Sequence, residues 1–232
     1  LDSVGIRCPR HRVARAIIHA AGVPLAAPSA NTSGRPSPTC AAHVMDDMNG
    51  KIPAIVDGGE CEVGLESTIV DMTCIPPRLL RPGGISLRAL RDVLGEIEID
   101  DAVLHELAPG TVVRAPGMKY RHYAPKAPVV ILDGATDAAA QYVKEHCDGG
   151  KTAILCFSEE CEAFADCGAV VVPYGSADNT EELAHRLFFE LRQLDEACVD
   201  KIFAREPKAS DGLELAVINR LQKAAGFLRV TL

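Results

Sequence analysis

Arginines and hydroxyl side chains stand beside turns at several points in the first half of the chain. Arg7 ends a short apolar segment, Arg81 precedes a Pro-Gly-Gly turn, and Ser67 begins a β-branched segment. The loop 28–39 adds further hydroxyls and an amide between prolines. A guanidinium binds a carboxylate through two parallel hydrogen bonds, and polar groups on a stiff turn can hold phosphate oxygens. The pattern predicts a site for small anions.

Each of these motifs also has a plain structural interpretation. Arg7 and Arg81 are also consistent with solvated surface charges. The loop 28–39 is also consistent with a surface turn. Ser67 is typical of a residue that starts a strand. It lacks the G-x-S-x-G surroundings of a nucleophilic serine, so we interpret it as a binding hydroxyl.

Composition narrows the class of protein. Of 232 residues, 47% are hydrophobic and 24% are charged, which is ordinary for a globular protein. No apolar segment approaches the roughly 20 residues that cross a bilayer, so we predict no membrane association. Nine cysteines without a C-x-x-C pair predict free thiols in a reducing compartment, here the cytoplasm. The net charge of −8 lies in residues 127–232, and residues 1–126 are balanced, which disfavours sequence-independent nucleic-acid binding.

Strands and helices alternate regularly in the second half. This pattern predicts a parallel, Rossmann-like sheet covered on both faces. No G-x-G-x-x-G follows its first strand, so we assign it no dinucleotide. The predicted strands are Val129–Leu132, Ala153–Phe157, Val170–Val172 and Lys201–Phe203. The predicted helices are Thr136–His146, a helix capped by Asn179 that aligns Leu183, Leu187, Leu191 and Leu194, and Asp211–Ala225 closed by Gly226.

The first half predicts part of a second α/β sheet. A buried strand is expected at 23–27 and further strands at 52–56 and 67–71, with helices before Gly22 and over 40–48. We divide the chain into an α/β domain at 1–109, a linker at 110–127 and the Rossmann-like domain at 128–232. The linker holds two tyrosines, a histidine and basic residues between prolines, which indicates contact with a ligand rather than a plain tether.

Taken in order, the motifs closely resemble one enzyme family, the long, two-domain form of threonylcarbamoyl-AMP synthase. That family joins a YrdC-type twisted α/β domain to a Rossmann-like domain, and the resemblance spans essentially the whole chain. The motifs are Arg7 with Pro9, the loop 28–39, the segment 66–71, the turn 80–83, the linker 116–125 and the segment 212–221.

The resemblance implies a reaction. L-Threonine and bicarbonate would form a carbamate that attacks the α-phosphorus of ATP, giving threonylcarbamoyl-AMP and pyrophosphate. Mg²⁺ would accompany ATP. Glu66 and Asp71 are the candidate carboxylates for it, but neither is assigned as a magnesium ligand. The product would pass to the machinery that modifies tRNA, and direct tRNA binding stays open.

Site residues carry over by motif. Positions that contact threonine in the family are matched by Arg7, Ala27 and Ser67. Positions that contact ATP are matched by Ser3, Ser29, Ser37, Arg81 and Tyr123, and Asn31 lies in the same loop. Because the family's linker folds over its active site, we expect Tyr123 to lie on a mobile lid rather than in the core of either domain.

The family's catalytic domain begins with a basic nucleotide-binding segment that does not precede Leu1. We therefore expect this chain to be an N-terminally truncated form, inactive as a synthase, with residues 128–232 folding independently. The sequence favours two alternative functions less. One is a carbamoyltransferase-type YrdC domain of hydrogenase maturation, disfavoured by the absence of C-x-x-C pairs. The other is an RNA-binding module, disfavoured by the charge balance.

Overall fold

The computed structural model describes residues 3–105, 123–147, 150–208 and 212–232. Within them, the helices are α1 (Arg12–Ala21), α2 (Ala41–Met48), α3 (Leu87–Leu94), α4 (Asp101–Leu104), α5 (Thr136–Glu145), α6 (Cys161–Phe164), α7 (Thr180–Glu196) and α8 (Glu214–Ala225). The strands are β1 (Ile69–Asp71), β2 (Arg78–Arg81), β3 (Glu98–Ile99), β4 (Val129–Asp133), β5 (Thr152–Cys156), β6 (Val170–Pro173), β7 (Lys201–Ala204) and β8 (Arg229–Thr231). None of the helices in these residues is long and apolar enough to cross a membrane.

Strands β4–β8 form a parallel sheet in the order β6-β5-β7-β4-β8. This confirms the predicted Rossmann-like class, and we call residues 129–231 the Rossmann-like unit. Four of its strands fall where the sequence predicts them. The edge strand β8 was missed because its three residues are too few to show a periodicity.

Helices cover both faces of this sheet, as predicted. On one face, α7 and α8 bury the leucine stripe of α7 and Val217 and Leu221 of α8 against β4, β5 and β7. On the other, Ala139, Val143 and Phe164 of α5 and α6 pack on Leu132 and the neighbouring strands. Burying a large aliphatic side chain contributes about 1.5–3 kcal/mol. The unit therefore has a substantial core.

Capping signals place the ends of α7 and α8. The Asn179 side chain accepts a hydrogen bond from the Glu182 amide at 3.2 Å, which is the predicted N-cap. Gly226 follows α8 with φ of 59°, the left-handed conformation that glycine adopts most easily. These two helices carry the side chains that reach the candidate site.

Residues 3–105, which we call the first region, contain less regular structure. Strand β2 pairs antiparallel with β1 and parallel with β3. A small core joins Leu79, Leu87, Ile97 and Val103 to Leu215 of α8. The core of the first region is therefore completed by a residue of the Rossmann-like unit.

Two strand predictions in the first region are wrong. Segments 23–27 and 52–56 form no strand, and Val23, Leu25 and Val56 are 58%, 46% and 64% exposed. An apolar segment becomes a strand only where a neighbour completes its hydrogen-bond ladder, and neither segment has one among the described residues. The predicted helix before Gly22 forms as α1, but none of its residues is buried.

Candidate functional site

Arg81, at the end of β2, is the centre of the candidate site. Its side chain is 6% exposed, and its Nε and Nη2 donate to the Ser67 carbonyl at 3.1 and 2.9 Å. Nη2 also lies 3.4 Å from the Ser67 hydroxyl oxygen. Burial, together with the charges of Arg220 and Arg7, lowers the pKa of Arg81, although Tyr123 and Glu66 oppose this.

The turn after Arg81 permits this approach because Gly83 has no side chain. A Cβ on Gly83 would overlap the Glu66 carbonyl and the Thr68 amide. The Pro-Gly-Gly turn can therefore lie directly against the backbone of the segment that begins β1. This close packing brings Arg81 and Ser67 together although 14 residues separate them.

Tyr123 completes the contact. Its hydroxyl is hydrogen-bonded to Arg81, and burial is the main reason why the pKa of Tyr123 is raised. Its ring lies 5.3 Å from that of Phe188 on α7, and the Arg220 guanidinium lies 5.4 Å from the ring centre.

The expectation that Tyr123 lies outside either core is wrong. The residue is 2% exposed and belongs to the core cluster of the Rossmann-like unit. It has φ of 67°, and the next amide, of Ala124, donates to the Gly34 carbonyl at 3.0 Å. This hydrogen bond connects the end of the predicted linker to the 28–39 loop. Residues 110–122 of that linker lie outside the described residues.

Ser37 joins the site through Glu66. The Ser37 hydroxyl donates to Oε1 of Glu66, and Nε of Arg220 donates to Oε2 at 2.7 Å. Burial would raise the pKa of Glu66, but the charge of Arg220 and the two hydrogen bonds outweigh it and lower that pKa. Glu66 is therefore an ionised acceptor.

A second set of charges fixes the 28–39 loop. Arg35 donates to Asp47 at 2.6 Å and lies 3.5 Å from Asp195 of α7. Arg192, also on α7, donates to Asp47 at 2.7 Å and to the Pro36 carbonyl at 2.7 Å. The guanidinium of Arg35 therefore holds carboxylates of this protein.

The remaining predicted residues differ in how closely they approach this cluster. Arg7 is exposed and its Nη1 lies 3.5 Å from the Ala27 carbonyl, so these two predicted threonine contacts are neighbours. Asn31 donates to Arg35 O at 3.3 Å, while its Oδ1 is buried without a hydrogen-bond partner. Ser3 and Ser29 are exposed.

The cluster thus contains residues that the sequence predicts, namely Ser37, Ser67, Arg81 and Tyr123. Sequence reasoning missed Arg192 and Arg220, and it left Glu66 without a role. Arg192 lies on α7 and Arg220 on α8, and a charged side chain on a helix is expected at the surface. No local signal shows that they point inward.

The described residues contain no group of three or more His, Cys, Asp or Glu side chains placed to hold a metal ion. Glu66 is occupied by Arg220 and Ser37. Asp71 accepts from the amide and hydroxyl of Thr73, at 2.8 and 2.6 Å, within a turn. Both carboxylates accept hydrogen bonds within the protein, and no magnesium site is assigned to either.

The parallel α/β unit and the first region form an α/β protein in which Arg192 of α7 reaches the 28–39 loop and Arg220 of α8 reaches Glu66. Two family descriptions match the chain: "Threonylcarbamoyl-AMP synthase, C-terminal domain" over residues 85–226 and "Telomere recombination" over residues 1–83. The chain belongs to the threonylcarbamoyl-AMP synthase family.

Individual relatives agree. The threonylcarbamoyl-AMP synthase of Pyrococcus abyssi is 44% identical over 231 residues, which are 98% of this chain and 65% of that protein. The Bacillus subtilis enzyme is 41% identical over 97% of this chain and 64% of its own length. A crystal structure of P. abyssi Sua5 complexed with L-threonine has a TM-score of 0.87 at 42% identity, covering this whole chain and 66% of that one. The chain thus spans about two thirds of the length of these proteins. Their names favour neither the carbamoyltransferase of hydrogenase maturation nor an RNA-binding module.

Proposed function

We propose that this protein synthesises threonylcarbamoyl-AMP from L-threonine, bicarbonate and ATP, with release of pyrophosphate. The observation that carries the proposal is the junction at Arg81. This arginine contacts Ser67, predicted to bind threonine, and Tyr123, predicted like Arg81 itself to bind ATP. The two substrates would therefore meet at one buried guanidinium.

The chemistry requires positioning rather than a covalent intermediate. Threonine nitrogen bonds to the carbon of bicarbonate and water is lost, which gives a carbamate. A carbamate oxygen then bonds to the α-phosphorus of ATP, the bond to the bridging oxygen breaks, and pyrophosphate leaves. Charge builds on phosphoryl oxygens, where a fixed cation lowers the barrier. Arg81 would supply that cation, and Arg7 would bind the threonine carboxylate.

Other parts of the proposal rest on the family resemblance. Ser3, Ser29, Asn31 and Ser37 would add ATP contacts, and Ala27 would line the threonine pocket. Mg²⁺ would arrive with the phosphates of ATP as part of the substrate. The product would serve tRNA modification in the cytoplasm, and residues 128–232 would form a separate domain.

Pyrophosphate release tests the proposal. Protein expressed from its complete gene should release pyrophosphate only when ATP, threonine and bicarbonate are all present. Arg81→Ala should lower kcat/KM by about 100-fold, the loss typical of a fixed charge that stabilises a transition state. Arg88→Ala, on the exposed face of α3, is the matched control and should leave the rate unchanged. Release that needs no threonine would refute the proposal.

A binding assay separates the enzyme from an RNA module. Filter binding of tRNA at two salt concentrations should show weak binding, because residues 1–126 carry no net charge. Tight, strongly salt-dependent tRNA binding without pyrophosphate release would instead favour the RNA-binding function.

A further inference from the structure

Arg220 is a buried charge that lies outside the predicted site residues. It extends from α8 of the Rossmann-like unit and is 0% exposed. Its Nε donates to Glu66 Oε2 at 2.7 Å, and its Nη2 lies 3.4 Å from the Glu66 carbonyl. Its Nη1 donates to Asn219 Oδ1 at 2.8 Å, and Asn219 in turn donates to Val103 O at 2.8 Å. Every nitrogen of this guanidinium is thus directed by a partner.

Stability alone is a weak reason for such an arrangement. Removing a guanidinium from water costs several kcal/mol, and an ion pair with one carboxylate repays this only in part. An apolar residue at the same position of α8 would extend the neighbouring core instead. The arginine is therefore better explained by what it holds in place.

Arg220 holds two of the predicted ATP-binding residues. Glu66 accepts from the Ser37 hydroxyl, so fixing Glu66 fixes that hydroxyl. The guanidinium also lies against the ring of Tyr123, whose hydroxyl is bonded to Arg81. Loss of Arg220 would leave Glu66 largely buried without its countercharge and remove one wall of the Tyr123 ring site.

The polarity of these hydrogen bonds also restricts what Ser37 can bind. Because the hydroxyl proton points to the carboxylate of Glu66, the oxygen of Ser37 is left as an acceptor. It suits an O–H or N–H donor, such as a ribose hydroxyl, and does not suit a phosphate oxygen.

We propose that Arg220 is a positioning residue for ATP: through Glu66 it orients Ser37 toward the nucleoside, and through Tyr123 it supports Arg81. The inference rests on the proposed function, because it assigns Ser37 and Tyr123 to the ATP site. It gives the Rossmann-like unit a defined task, which is to supply the charge that orders a site built on the first region.

The test compares two buried arginines in protein expressed from the complete gene. Arg220→Met should raise KM for ATP by about 10- to 100-fold, the loss typical of misplaced binding groups, and change KM for threonine much less. Arg220→Lys keeps the charge and should restore part of the ATP affinity. The control is Arg205→Met. Arg205 pairs with Glu160 at 3.0 Å and bonds to Leu132 O, all within the Rossmann-like unit. Arg205→Met should lower the melting temperature and leave the KM values for ATP and threonine unchanged.

Glu66→Gln provides the same test if Arg220→Met does not fold. It preserves the shape of the side chain, weakens the ion pair, and should raise KM for ATP in the same way. Replacement of ATP by 2′-deoxy-ATP should cost the wild type more affinity than it costs Arg220→Met, a difference that a purely structural role would not produce.

The outcomes are distinguishable. An inactive wild type would refute the proposed function. An active wild type whose folded Arg220→Met and Glu66→Gln variants keep the normal KM for ATP would refute the positioning role and leave the function intact.

Discussion

The Rossmann-like unit and the first region differ in what stabilises them. The unit packs helices on both faces of a five-stranded parallel sheet and buries apolar side chains of β4, β5 and β7. The first region has three short strands, a helix without a buried residue, and exposed Val4, Ile6 and Val56. Yet most of the predicted site residues lie in the first region. The candidate site is therefore ordered mainly by arginines and a leucine of α7 and α8, which lie outside the first region.

The largest expected difference concerns the core. Leu187→Ala in α7 removes a side chain that is 0% exposed, and should lower the free energy of unfolding by about 2–5 kcal/mol. Leu25→Ala in the first region removes the same atoms from a residue that is 46% exposed, and should change it by less than about 0.5 kcal/mol. Urea denaturation of the 232-residue chain measures both. Equal losses would mean that the first region has a core of its own.

Next in size is the clamp on the 28–39 loop. Arg192→Met leaves Asp47 and the Pro36 carbonyl without their buried donor, which should lower the free energy of local opening by about 2–3 kcal/mol. Native-state hydrogen exchange of amides 29–48 measures it. Arg186→Met, on the same helix, breaks a partly exposed pair with Glu190 and should cost about 0.5 kcal/mol. If both variants opened the loop equally, the clamp would not depend on burial.

A smaller effect is expected from pH. Burial, reinforced by Arg192, lowers the pKa of His43 below its ordinary 6.5, while nearby acids oppose this. The folded state therefore binds fewer protons than the unfolded state just below pH 6.5. His43 contributes its stability above pH 6.5, and that contribution is lost as pH falls through the lower folded pKa.

The His43 effect can be isolated by substitution. The Thr39 amide donates to His43 Nδ1 at 3.2 Å, a bond that protonation of that nitrogen would break. Urea denaturation at pH 8 and pH 5.5 should show that His43→Gln loses less stability than the wild type over this interval. An identical slope for the two proteins would show that other groups carry the pH dependence.

The smallest effect is expected from a surface ion pair within the first region. Arg10 and Glu62 interact, but their side chains are 80% and 72% exposed. Exposed pairs gain little because water screens them, so Arg10→Ala should change the free energy of unfolding by less than about 0.5 kcal/mol. A loss comparable to that of Arg192→Met would mean that the first region is held by its own surface charges.

Local sequence signals determined most of the Rossmann-like unit. The leucine stripe of α7 recurs every three or four residues, and Asn179 and Gly226 are capping residues, so they specify helices in any context that offers an apolar surface. Alternation with β-branched strands specified the parallel sheet. In the first region the same signals predicted α1, α2 and β1, and they failed at 23–27 and 52–56, because a strand also needs a neighbour.

The sequence by itself also determined the order of motifs that carries the family resemblance, and with it the list of candidate site residues. Only the tertiary structure decided which of them meet. Arg81 reaches Ser67 because Gly83 admits close packing, and Tyr123 is buried because α7 and α8 close over it. Arg220 and Glu66 are separated by 154 residues. The residues within one turn of Arg220 on α8 do not indicate that this arginine contacts a carboxylate. Periodicity is a local property, whereas the pairing of buried charges depends on how two distant segments dock.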